Sequence, residues 1–266
     1  MLATPTARGQ QGPSVVSRVG FDQNLGTDVD LDLAFRDETG KAVKLGDYFG
    51  AKPVLLTLVY YRCPMLCTLE LNGLARSLKP LSLDVGKEFE VVTVSIDPEE
   101  TPALAAEKKA GYLRRYNRPG AEKGWHFLTG DKPAIERLTR AAGFRYAYNP
   151  RTKLFAHAAG LVILTPKGRI ARYFYGIDYS ARDVQFGLLE ASAGKVGSPI
   201  SRFLLLCYHY DPASGKYTLA IMSLVQVLGT ATALALATFL LVMFRRDRRA
   251  ARALLSAAAL PVATTP

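Results

Sequence analysis

Apolar and polar residues in this chain alternate in some stretches, run together in others, and elsewhere repeat at helical spacing. These three patterns predict its elements in turn. Residues 31–36 alternate, Asp37-Glu38-Thr39-Gly40 reads as a turn, and 41–45 alternates again, which predicts a β-hairpin. Behind Pro53, residues 54–61 (VLLTLVYY) form a continuous apolar and β-branched run, the pattern of a central strand covered on both faces. Cys63-Pro64-Met65-Leu66-Cys67 follows at once. A helical pattern then spans 68–81, with Leu71, Leu74 and Leu78 on one face and Pro64 suited to the first helical position. Residues 89–96 predict a second central strand ending in Asp97-Pro98, and Thr101-Pro102 opens a helix to about Tyr116. Residues 125–130 predict a short strand and turn, and Asp131 caps a helix to about Gly143. A second hairpin is expected from 160–164 and 169–175 around Thr165-Pro166-Lys167-Gly168, and Ser180 caps a last helix to about Ala193.

This order predicts an α/β fold with a mixed sheet flanked by helices. The cysteine motif leaves the first central strand at its carboxyl end, where open α/β sheets collect ligands. The arrangement is thioredoxin-like. Residues 1–30, rich in Gly, Pro, Gln and Ser, read as a flexible lead-in to a domain at 31–195, with a linker at 196–217.

Residues 218–244 are 27 positions without a charge. At about 1.5 Å per residue they suffice to cross a ~30 Å hydrocarbon core, which predicts one C-terminal transmembrane helix. Tyr217 marks one edge, and the 245–266 tail opens at the other with five Arg and one Asp in 245–252. The positive-inside rule places that tail in the cytoplasm and the domain in the periplasm or cell exterior, on the inner membrane. Export needs a signal. Residues 1–20 hold no apolar run of the required length, so the signal is expected to have been cut off or to lie upstream. A tail anchor with a cytoplasmic domain is the competing topology, and it runs against the charge rule.

The composition, 49% hydrophobic and 21% charged, suits a globular domain with a sizeable core. The net charge of +11 carries no Lys/Arg stripe interleaved with aromatics, so nucleic acid is not an expected partner. An anionic lipid surface or an acidic protein face suits it better.

Three cysteines, at 63, 67 and 207, are too few for a disulfide scaffold. A C-x-x-x-C at a helix start places both sulfurs on one face about a turn apart, where the positive helix end stabilises thiolate. The pair is poised to bind metal or to form a disulfide. Thiolates favour Cu(I), zinc or iron–sulfur. Iron–sulfur clusters normally need four cysteines and structural zinc four protein ligands. Two cysteines and an imidazole suit Cu(I), with room for a fourth ligand as Cu(II). His157, just before a predicted strand, is the natural third ligand, because the loop before that strand faces the cysteines in a thioredoxin layout. His126, after Trp125, reads as a packing residue. Cys207 and His209 read as part of an aromatic collar at the membrane, with a second metal site as the alternative.

Tyr60-Tyr61-Arg62-Cys63-Pro64-Met65-Leu66-Cys67, Val94-Ser95-Ile96-Asp97-Pro98, Trp125-His126-Phe127-Leu128-Thr129-Gly130 and His157 before a strand ending in Thr165-Pro166-Lys167-Gly168 together resemble the Sco/SenC family, over about residues 30–195. The resemblance implies one copper ion, Cu(I) or Cu(II), held by Cys63, Cys67 and His157, with Asp97 matching a family aspartate near the site. It implies a metallochaperone, not an enzyme, that delivers copper to the CuA centre on the copper-bearing subunit of cytochrome c oxidase during assembly. The alternative is a membrane-anchored thiol–disulfide oxidoreductase that reduces the oxidase cysteines; it needs the pair but not the histidine. A C-x-x-x-C does not suggest a peroxiredoxin-like peroxidase. Most family members carry their anchor before the domain, whereas this chain carries it after.

Overall fold

The computed structural model describes residues 19–197, 210–211, 216–217, 226 and 229–246, within two units, Met1–Pro199 and Ile200–Pro266. In the first unit β1 (Gly20–Phe21) precedes the expected hairpin of β2 (Ala34–Arg36) and β3 (Ala42–Lys44). The carboxylate of Asp37 closes that turn by accepting the N–H groups of Thr39 and Lys41. Next comes β4 (Val54–Val59), buried at every position, as a strand covered on both faces must be. Then follow α1 (Leu66–Leu78), β5 (Glu90–Ser95), α2 (Pro102–Tyr116), β6 (Trp125–Leu128), α3 (Lys132–Ala141), β7 (Phe144–Asn149), β8 (Leu154–His157), β9 (Gly160–Leu164), β10 (Ile170–Tyr175) and α4 (Ala181–Ser192).

The main sheet runs β10-β9-β4-β5-β6. Its β4–β5 and β5–β6 pairs are parallel, and β4–β9 and β9–β10 antiparallel. This is the expected thioredoxin-like mixed sheet. Side-chain oxygens start three helices as the sequence predicts: Thr101 accepts Leu104 N–H, Asp131 accepts Ala134 N–H and Ser180 accepts Asp183 N–H. Buried polar groups within the sheet are paired. Thr57 and Trp125 each hydrogen-bond Thr93 Oγ1 at 3.0 Å.

Three expectations change. First, the packed domain reaches back into the 1–30 lead-in. Gly20 and Phe21 pair with Arg145 and Phe144 of β7, and Phe21 packs edge-on against Phe144 and Tyr173. Aromatic packing overrides the loop-like composition there. Second, α1 starts at Leu66 and ends at Leu78, so Pro64 lies in the turn before it. Third, β7 and β8 form an antiparallel hairpin that the sequence pattern did not disclose, and with β1 they make a separate three-stranded sheet.

In the second unit β11 (Tyr210–Asp211) pairs antiparallel with β12 (Lys216–Tyr217). The helix Gly229–Arg246 has 18 residues and a mean hydropathy of 1.3. It is about 27 Å long, long and apolar enough to cross a membrane. Cys207, His209, the start of the expected span at 218–225, and the tail beyond Arg246 lie outside the described residues.

Gly73 is where α1 meets the β10–α4 connection: a Cβ there would lie 1.8 Å from the Ile177 carbonyl oxygen. Gly73→Ala is expected to cost about 1–3 kcal/mol through overpacking. Gly111, within α2, has nothing within 4 Å of its would-be Cβ. Gly111→Ala is expected to gain about 0.5–1 kcal/mol. Urea midpoints of the two variants should therefore move in opposite directions.

Candidate metal centre

β4 carries the chain to Tyr60-Tyr61-Arg62-Cys63, and the exit from the strand is held from below. Glu100, between β5 and α2, accepts the Tyr61 N–H at 2.7 Å, the Arg62 N–H at 2.6 Å and the Ser95 hydroxyl at 2.6 Å. Burial pushes the Glu100 carboxyl above its usual range, and these hydrogen bonds pull the other way. The Tyr61 ring is fully enclosed, with its hydroxyl 2.7 Å from the Leu128 carbonyl.

The loop then turns so that Cys63 Sγ accepts the Cys67 N–H at 3.3 Å. That sulfur satisfies an early α1 donor where Met65, at the cap position, offers no side-chain acceptor. Cys67 Sγ accepts the Tyr60 N–H at 3.4 Å. From β8, His157 brings Nε2 to 2.9 Å from Cys67 Sγ. Its Nδ1 lies 2.8 Å from the Ala158 carbonyl oxygen. A carbonyl only accepts, so Nδ1 carries the proton and the Nε2 lone pair faces the sulfurs, the tautomer a metal ligand needs. The imidazole sits edge-on to Tyr60 and beside Phe144. The ligand atoms of Cys63, Cys67 and His157 all lie within 4.8 Å of one another, and all three residues are buried. His157 precedes β9 as expected, and it also closes β8, so a hairpin strand and not a loop delivers it.

The two sulfurs are electrostatically unequal. A hydrogen bond from Cys67, with further ones from the N–H groups of Cys67 and Met65, pulls Cys63 down to about 3 against the effect of burial. Burial, and then Cys63 itself, pushes Cys67 up. The metal-free pair is thus a thiolate at Cys63 and a thiol at Cys67.

Asp97 does not join the three donors; its carboxylate accepts the Glu99 N–H at 2.9 Å and shapes the loop. His126 packs as expected, against Tyr48 and 3.3 Å from Glu90. Two acidic residues escaped the sequence reading. Glu100 left no signal beyond its place before the Thr101 cap. Glu70 is fully enclosed, and burial pushes its carboxyl well above the carboxylate range. Its signal was present, since position 70 lies three after Cys67 and four before Leu74 on the buried stripe of α1.

A buried thiolate, thiol and imidazole converging at the end of a central strand define a thioredoxin-fold protein whose cysteine pair lies against a histidine. The SCO1/SenC family model matches residues 22–185, and the chain belongs to that family. Among solved structures, an electron-transfer candidate from Aquifex aeolicus VF5 is 28% identical, with a TM-score of 0.56 over 64% of this chain and 95% of that one. A SCO1/SenC family lipoprotein from Bacillus anthracis is 17% identical, with a TM-score of 0.50 over 63% of this chain and 96% of that one. ScoI from Bradyrhizobium japonicum, solved with copper bound, is 22% identical, with a TM-score of 0.48 over 60% and 96%. No curated protein sequence matches the chain.

Replacing Glu100 by Ala leaves two strand-exit N–H groups without their acceptor. A loss of about 2–3 kcal/mol is expected. Amide exchange should quicken at Tyr61 and Arg62 while Val92, inside β5, stays protected. Equal protection at all three would show that the carboxylate does not hold the loop.

Proposed function

We propose that this protein is a membrane-anchored copper carrier. It delivers one copper ion to the CuA centre on the copper-bearing subunit of cytochrome c oxidase during assembly. The reading rests on family membership and on one observation above all, the Nε2 lone pair of His157 facing the two sulfurs. Thiol–disulfide exchange does not require that imidazole, whereas three-donor binding of a soft metal ion does. Two thiolates and one neutral imidazole supply three donors, one short of the closed four-ligand shell of structural zinc and well matched to Cu(I). When bound, copper would be held by Cys63, Cys67 and His157. The protein's own contribution is to keep Cys63 deprotonated, give up the Cys67 proton, and fix the ring through Ala158. Copper is then cargo to be passed on, not a catalytic centre.

The unequal cysteines support a second reading, reduction of the acceptor's cysteines. The Cys63 thiolate would attack an acceptor disulfide and release one acceptor thiolate. Cys67, its proton passing to the released thiolate, would displace the other, leaving a Cys63–Cys67 disulfide and two electrons on the acceptor. The two readings fit in sequence, because copper binds only to reduced cysteines.

The domain ending near residue 195, the linker at 196–217, the span at 218–244 and the basic tail at 245–266 complete the proposal. The domain faces the periplasm or cell exterior, and the tail the cytoplasm.

Copper affinity of His157→Ala should fall on the order of a hundredfold or more, since even the outer partners of a ligating histidine are worth about 10–100-fold. The Cys63–Cys67 disulfide should still form in that variant. Unchanged affinity would hand the site to the reductase reading. For the topology, protease added to intact spheroplasts should digest the domain; protection there, with the tail cleaved, would reverse the orientation.

A further inference from the structure

Directly beside the metal site a groove of about 980 Å3 opens between the 96–99 loop, α3 and the β7–β8 hairpin. It adjoins the site at two points: Arg62 precedes Cys63, and Phe155 lies two residues before His157. One wall is aromatic, built from Phe144, Tyr146, Tyr148 and Phe155. Tyr148 is half-exposed, and Leu154 at the same hairpin is also open to solvent. Such open apolar surface around a cleft marks a place of contact. Arg62, Lys132, Arg140, Arg145 and Lys153 also line the groove, against three carboxylates, Asp97, Glu99 and Glu136. Glu136 lies 3.8 Å from Lys132 and Arg145 pairs with Asp22, while Asp97 accepts the Glu99 N–H and keeps its charge. Arg62, Arg140 and Lys153 make no ion pair among the described residues. The groove therefore offers an excess of positive charge, with three cations outside any ion pair of the described residues, next to aromatic faces.

We propose that this groove is the docking site for an acidic segment of the protein with which the cysteine pair exchanges its copper. The proposal rests on the copper reading and adds to it the surface and the chemistry of the partner. Carboxylates of the segment pair with Arg140 and Lys153, and its apolar side chains lie against Tyr148 and Phe155. Such pairing orients an encounter and speeds it. A segment seated there ends beside Arg62, at the mouth of the site. A concave, aromatic-walled groove suits a protein segment better than a flat anionic bilayer, which needs only exposed cations.

The test uses the full-length protein in a neutral detergent and a fluorescein-labelled decapeptide of alternating Glu and Tyr, with its Lys-for-Glu counterpart as the control. The acidic peptide should bind, more weakly as salt is added, and the basic peptide should not. Arg140→Glu combined with Lys153→Glu should weaken binding by about tenfold or more, with copper content and thermal midpoint unchanged. Tyr148→Ser, which leaves the charge alone, should weaken it as well. Equal binding by the double variant, or equal binding of both peptides, would overturn the proposal. So would a double variant that loses only its adhesion to phosphatidylglycerol vesicles, which would make the cations a lipid contact. Copper content, measured in parallel, separates the two readings. Copper without peptide binding removes the groove alone, and peptide binding without copper removes the copper reading alone.

Discussion

Parallel strands end with their exiting N–H groups pointing at nothing, and the use of this fold depends on how that gap is filled between β4 and β5. The ladder between them stops at Val59 and Ser95. Beyond it, the N–H groups of Tyr61 and Arg62 have no strand to pair with, and the buried carboxylate of Glu100 accepts both. A charged acceptor makes these bonds stronger than a neutral one would. They set the direction in which the chain leaves the sheet, and so where Cys63 lies and where α1 begins. From there each contact follows from the last. Cys63 takes the Cys67 N–H, Cys67 takes the Tyr60 N–H, and the imidazole closes the group from the other side.

The frame of this arrangement was legible in the sequence because its signals are local. β4 and β5 are continuous apolar runs, α2, α3 and α4 carry their own caps, and the cysteine spacing reports a helix start. The β7–β8 hairpin was not legible. Its first strand alternates, but tyrosines share it with Arg145 and Asn149, and Asn149-Pro150-Arg151 reads as a loop. That hairpin becomes a strand pair only by packing, with Phe144 and Phe21 in contact and Phe155 against Tyr60. Glu100 was invisible for a related reason. Its partners are backbone groups 38 and 39 positions upstream, and no local pattern encodes them. Glu70 differs: its helical phase marked it as buried, and its residue type argued against that.

Placing one proton between two sulfurs gives the site two chemistries from one set of atoms. Cys63 is ready to bind or attack without losing a proton, whereas Cys67 must lose one first. Glu70, enclosed on the same helix, is itself pushed up by burial, and whatever charge it carries opposes that loss.

Cys67 and His157 are 90 positions apart along the chain. Bringing them together requires the whole central sheet to have formed and the β7–β8 hairpin to have docked, and such distant closures come late and slowly in folding. A growing or newly made polypeptide therefore presents only the cysteine pair, and the third donor arrives with the finished fold. An ion that needs all three donors stabilises the native state by mass action and has little hold on the states before it. Metal binding then reports on folding: only a correctly assembled domain offers all three donors.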